Sequence, residues 1–224
     1  MSRPRALLLL GPTGSGKTPV GRRIEAEGLG GTRVAHLDFG ECLRTVARGG
    51  GAAFGLLAAQ VAVVEHCLRT GALLENESFS IAEQIVRAFL ARQKLDATGV
   101  VLLNGLPRHV GQATAVSRIV QLRAVAFLTC NPRTVHERIA LDTGGDRAGR
   151  SDDSLREVES KLRLFEARTL PLIGFYETVG VPILRIPVTS DTSPEDAARA
   201  IADADCIRRL FAGADVPVRS RLGS

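Results

Sequence analysis

The sequence predicts an α/β fold in three layers, α/β/α, wound around a five-stranded parallel sheet. Short apolar runs recur at Arg5–Leu10, Val34–Asp38, Val100–Asn104, 124–129 and Ile183–Pro187, each bounded by Gly, Pro or polar residues. Those lengths suit strands buried on both faces. Between them lie stretches of helical spacing at 20–27, Ala58–Thr70, 81–93, 134–141 and 155–179. Strands alternating with helices imply a doubly wound sheet whose ligands gather at the carboxyl ends of the strands.

The first strand and helix are joined by Gly11, Pro12, Thr13, Gly14, Ser15, Gly16, Lys17 and Thr18. This run matches G-x-x-x-x-G-K-S/T in the strand-loop-helix setting the pattern requires. Its glycines let successive N–H groups turn toward one anion, the helix N-terminus adds its dipole, and Lys17 reaches the outer phosphates. Thr18 can place its hydroxyl on a magnesium ion. The fold is therefore of P-loop NTPase type, and the loop binds a nucleoside triphosphate.

Composition bounds the rest. At 224 residues and 45% hydrophobic content the chain supports one sizeable core. Aromatic residues make up only 4% and tryptophan is absent, so that core is built from Leu, Val, Ile and Ala. The net charge of +5 is carried mainly by arginine, because lysine occurs only at positions 17, 94 and 161. Arginine suits phosphates, although a general preference for Arg over Lys explains most surface positions equally well. The only basic cluster is Arg208, Arg209, Arg219 and Arg221, so no nucleic-acid partner is expected. Cys42, Cys67, Cys130 and Cys206 form no C-x-x-C pair and read as reduced, buried thiols of a cytoplasmic protein without zinc. The apolar run 6–10 is too short for a membrane span or a signal-peptide core, and no targeting segment or membrane partner is expected.

Two irregular stretches, 48–55 with three consecutive glycines and 143–153 rich in Gly, Asp and Arg, read as hinges or lid loops. A single domain is expected over 1–212. Residues 213–224 are expected to be a disordered tail.

The segments His36-Leu-Asp-Phe-Gly-Glu-Cys-Leu-Arg44, Asn104-Gly-Leu-Pro-Arg108 with Gln112, and Gly149-Arg-Ser-Asp-Asp153 resemble, in order and spacing, motifs of the adenylate kinase family. Gly71-Ala-Leu-Leu74 and Thr169-Leu-Pro-Leu-Ile-Gly-Phe-Tyr176 extend the resemblance, which runs from the P-loop to about Tyr176. It implies that residues 1–212 are a single kinase domain with a helical acceptor-binding insert at about 40–85 and a short ATP lid at about 142–153. It implies that Arg44 and Arg108 grip the acceptor monophosphate, that Gln112 reads the adenine edge, and that Phe39, Leu73, Leu74, Gly105 and Lys161 belong to the AMP site. Arg138 and the lid residue Arg150 would close over the transferring phosphate, making Lys17, Arg108, Arg138 and Arg150 the catalytic set. ATP and AMP would be the substrates and ADP the product, with Mg²⁺ held by Thr18 and by Asn104 through water, in a monomeric enzyme.

The pattern also departs from the family. Asn104 stands where the family usually has an aspartate near magnesium, and Asp38, Glu41, Asp152 and Asp153 are the acids that could replace it. Phe39 replaces a threonine that usually contacts the acceptor nucleotide. Asp142 falls where a phosphate-facing arginine is expected, with Arg147 as a substitute. Thr18-Pro19 replaces the usual Gly-Thr, and Pro19 suits a first helical turn. The reading is an adenylate kinase, with alternatives in a kinase for CMP, UMP or another small acceptor, and in a nucleotide sensor with weakened catalysis.

Overall fold

The computed structural model of the protein describes residues 3–95, 98–145 and 154–211. The chain runs β1 (Arg5–Leu10), α1 (Lys17–Glu27), β2 (Val34–Asp38), α2 (Phe39–Ala47), a 3-10 turn (Gly50–Phe54), α3 (Ala58–Thr70), α4 (Phe79–Gln93), β3 (Val100–Asn104) and α5 (Val110–Val116). It continues through β4 (Gln121–Thr129), α6 (Pro132–Leu141), α7 (Leu155–Leu164), a π-turn (Phe165–Thr169), α8 (Leu172–Thr178), β5 (Ile183–Pro187), α9 (Pro194–Asp203) and α10 (Asp205–Phe211). The five strands form one parallel sheet, as the apolar runs predict, and their order is β2-β3-β1-β4-β5.

Period-2 alternation divides β1 between two cores. Ala6, Leu8 and Leu10 pack with Phe39, Val101, Leu103 and Val125 on the face covered by α2, α4, α5 and α8. Leu7 and Leu9 pack with Val20, Ile24, Leu102, Ile201 and Phe211 on the face covered by α1, α9 and α10. Each such Leu or Ile contributes about 1.5–3 kcal/mol through burial. The 3-10 turn also joins the first core through Phe54, so the glycine-rich stretch at 48–55 is a packed turn and not an open loop.

Several bounds differ from expectation for physical reasons. The first helix begins at Lys17, before the apolar spacing starts, because the phosphate loop delivers the chain directly into helical geometry. Strand β4 begins at Gln121, whose N–H donates to Pro4 O at 2.8 Å. The single helix expected over 155–179 is broken in the middle. Leu170 N donates five residues back to Phe165 O, and Pro171 has no N–H to continue the ladder. Of the cysteines only Cys67 is buried; Cys42, Cys130 and Cys206 are half-buried, and all are free thiols. Among the described residues no helix is long and apolar enough to cross a membrane.

Helix α1 lies unusually close to β2. A Cβ on Gly21 would fall 2.3 Å from Nε2 of His36, a ring that is 8% exposed. That Nε2 has no hydrogen-bond partner among the described residues. Burial holds the imidazole below its ordinary value of 6.5, and Arg22 adds to this, while Asp38 and Glu25 pull the other way. The unfolded chain therefore carries the extra proton once pH drops below 6.5, and stability falls on acidification. We expect Tm to decline between about pH 7.5 and 5.5 and the slope to flatten in His36→Leu. An unchanged slope in the variant would assign the acid sensitivity to another group.

Candidate active site

The chain leaves β1 at Leu10 and wraps through residues 11–16 before α1 starts. Gly14 (φ 76°) and Gly16 (φ 88°) are left-handed, a conformation side chains disfavour, and this turns the loop over the helix N-terminus. Ser15 Oγ donates to Pro12 O at 2.9 Å, closing the loop on itself. Lys17 Nζ donates to Gly11 O at 2.7 Å and Pro12 O at 2.6 Å, so its charge arches back across the loop.

Arg138, near the end of α6, is 4% exposed. Its Nε donates to Gly14 O at 3.1 Å, and Nη1 donates to Thr189 O and Thr192 O, each at 2.7 Å. It ties the cradle to the turn after β5. Asp142, where a phosphate-facing arginine was the family expectation, caps α6 at φ 47°.

At the mouth of the cradle three elements converge. Thr18 Oγ1, in the first turn of α1, donates to Asp38 Oδ2 at 2.5 Å. Asn104 Nδ2 donates to both Thr18 Oγ1 and Asp38 Oδ2 at 3.2 Å. Asp38 and Asn104 are register partners at the ends of β2 and β3. The other carboxylate oxygen, Oδ1, caps α2 by accepting from Glu41 N at 2.9 Å. Burial pushes the Asp38 carboxyl up, but the Thr18 and Glu41 hydrogen bonds, with His36 and Arg44 nearby, hold it below its usual value. A hydroxyl and a carboxylate facing a phosphate loop are the oxygen donors a hard divalent cation takes, so the residues fit magnesium. Among the described residues no three His, Cys, Asp or Glu side chains come together as a metal cluster.

A cleft of about 440 Å³ opens from this point toward α3 and α7. Lys17, Thr18, Phe39, Arg44, Leu73, Leu74, Gly105, Arg108, Gln112 and Lys161 all line it, together with Gly11, Thr13, Gly14 and Gly16. Pro12, Ser15 and Arg138 support the cradle from outside that lining. Arg150 lies outside the described residues, as do Arg147, Asp152, Asp153 and the segment 213–224.

The two arginines expected at the acceptor differ. Arg44 is held by Glu41, with Nε and Nη2 at 2.9 and 2.8 Å from Oε2. Arg108 is half-buried, burial pushes its guanidinium down, and no carboxylate among the described residues offsets that cost. A desolvated cation lining a cleft is a receptor for an anion. Its backbone is fixed by Thr169, whose Oγ1 donates to Arg108 O at 2.8 Å.

Gln112 is 1% exposed, and both ends of its amide are engaged. Oε1 accepts from Arg108 N at 2.7 Å, and Nε2 donates to Leu74 O at 2.7 Å. The next residue, Glu75, takes a two-pronged bond from Arg168 at 3.0 and 2.7 Å. His109 Nε2 approaches Leu74 O at 3.4 Å. Thr169, His109, Glu75 and Arg168 thus fasten the acceptor side of the cleft. Sequence reasoning missed these roles, and only the family-like segment around Thr169 hinted at one of them.

The comparisons agree with this geometry. A family model described as AAA domain matches residues 10–159. An adenylate kinase of Xanthomonas campestris pv. campestris (strain 8004) is 32% identical over 179 residues, which cover 78% of this chain and 86% of that protein. The UMP-CMP kinase of Lentinula edodes is 25% identical over 220 residues, covering 95% and 89%. A crystal structure of a gluconokinase from Sinorhizobium meliloti 1021 superposes with a TM-score of 0.51 at 15% identity, covering 94% of this chain and 95% of that one, a likeness of fold alone. With its phosphate loop, its two-sided cleft and these relatives, the chain belongs to the adenylate kinase-like family of nucleoside monophosphate kinases, P-loop enzymes that transfer phosphoryl groups from ATP.

Proposed function

We propose that the acceptor is AMP and that the enzyme interconverts ATP and AMP with two ADP. The observation that carries the acceptor half is the half-buried Arg108 guanidinium lining the same cleft as the phosphate loop, with no carboxylate paired to it among the described residues. The base assignment draws on the relatives named adenylate kinase, up to 32% identical, and on Gln112 at the same end of the cleft.

In this reading the loop N–H groups and Lys17 hold the β- and γ-phosphates, and Arg138 keeps the loop in place. Arg108, Arg44 and Lys161 hold the monophosphate, and Arg150 completes the charge around the transferring group. A phosphate oxygen of AMP attacks the γ-phosphorus in line. The bond from that phosphorus to the β–γ bridging oxygen breaks, and the bridging oxygen leaves with its electron pair on ADP. No general base is needed, because the nucleophile is already an anion, so catalysis is positioning and charge stabilisation. Thr18 would hold magnesium, which would neutralise phosphate charge during the transfer.

A second reading, a pyrimidine monophosphate as acceptor, is favoured by Phe39 and by the engagement of Gln112 with Arg108 N and Leu74 O. The relative named UMP-CMP kinase, which spans 95% of this chain, points the same way. Initial rates with AMP, GMP, CMP and UMP at fixed MgATP separate the two. We expect kcat/KM for AMP to exceed the others by about tenfold or more. Equal or better use of CMP or UMP overturns the AMP assignment.

A further inference from the structure

The magnesium locus of this chain is short of one acid in its usual place. Asn104, at the end of β3, is an amide, and its Nδ2 points at Thr18 and Asp38, so the group presents hydrogens and not lone pairs. Water bound to a cation also presents hydrogens. The atom of Asn104 that faces the locus therefore repels such water.

Asp38 offers what Asn104 lacks. Register pairs Asp38 with Asn104, and Asn104 in turn with Leu9, so the ends of β2, β3 and β1 stand level. A carboxylate on β2 is displaced sideways by one strand, about 4.8 Å, without changing its height above the sheet. The aspartate side chain bridges that step and reaches the Thr18 hydroxyl at 2.5 Å. Thr18 donates its hydrogen to Asp38 and accepts from Asn104 Nδ2, which leaves one hydroxyl lone pair for another partner. We propose that Asp38 is the metal-facing acid of the site. The carboxylate sits one strand over on β2, and Asn104 is the neutral donor that holds it there.

The amide at position 104 follows from this arrangement. An aspartate there would bring a second carboxylate to about 3.2 Å from Oδ2 of Asp38, and like charges at that range oppose each other. Asparagine is nearly isosteric with aspartate and supplies a hydrogen bond instead. The acid at 38 and the amide at 104 are one exchange.

The inference rests on the phosphate loop as an ATP site and not on which monophosphate is the acceptor. It is tested with the full chain and the non-hydrolysable analogue AMP-PNP alone. Calorimetry gives its Kd in excess Mg²⁺ and in EDTA, and the ratio of the two measures how strongly the site prefers the metal complex. Asp38→Asn keeps the helix cap, since asparagine also caps, and Tm checks the fold. We expect Asp38→Asn to lose about tenfold or more of the metal preference while affinity in EDTA changes by less than about threefold. The double variant Asp38→Ser with Asn104→Asp, which returns the acid to β3 and keeps a capping residue at 38, should recover most of the preference. The inference is overturned if Asp38→Asn keeps the metal preference, or if the double variant is as deficient as the single one. Failure of the parent chain to bind AMP-PNP in either buffer would instead sink the ATP site on which it rests.

Discussion

Lys17→Ala is expected to lower kcat by about 10²–10³-fold while the protein remains folded. The ammonium is the side-chain cation of a loop whose other donors are backbone N–H groups, and in the proposed reaction it serves the charge that moves from the γ-phosphorus to the bridging oxygen. Alanine leaves the strand-loop-helix path intact, because that path depends on the left-handed glycines and the Ser15–Pro12 closure. The loss of the bonds to Gly11 O and Pro12 O is felt locally, in a loop anchored on both sides by β1 and α1. A coupled ADP-production assay alongside calorimetry measures both quantities. Near-full activity in the variant would remove Lys17 from the phosphate-binding role.

Arg108→Ala is expected to move activity and stability in opposite directions. The acceptor kcat/KM should fall by about 10²-fold or more, since a half-buried guanidinium facing a phosphate is worth several charge-assisted hydrogen bonds. The KM for ATP should change little. The same guanidinium is a partly desolvated charge with no offsetting carboxylate among the described residues, so its removal is expected to leave Tm unchanged or raised. Arg108→Lys should not restore acceptor use, because a point charge cannot reproduce the planar fork. Acceptor kinetics unchanged in Arg108→Ala would place the monophosphate elsewhere, and a collapse in Tm would make the residue a structural cation.

These effects were legible in the sequence to different depths. Strands buried on both faces announce themselves as unbroken apolar runs, which is why β1, β2, β3 and β5 appear with the expected bounds. The phosphate loop is equally plain, because its chemistry is local in sequence. Contacts across the sheet are not. Whether Asp38 or Glu41 faces Thr18 depends on how β2 ends beside β3, and that requires register. Arg138 resembles any other arginine until α6 and the turn after β5 enclose it. The break in the expected helix at 155–179 hides because the segment keeps its helical spacing through a π-turn. Gln112 carries two readings. Its motif suggests a base reader, and its geometry adds a tie between Arg108 N and Leu74 O that the sequence does not show.

The missing side chain at Gly21 acts as a spacer of zero thickness. Thr18 rides on α1, and Asp38 and Asn104 are fixed to the sheet, so the gap between them is set by how deeply α1 sinks onto β2. The bare backbone at position 21 lets the His36 ring fill that depth, and a methyl group there would overlap it. The elevation of the triphosphate above its acid is therefore encoded one helical turn away, by a residue that belongs to neither.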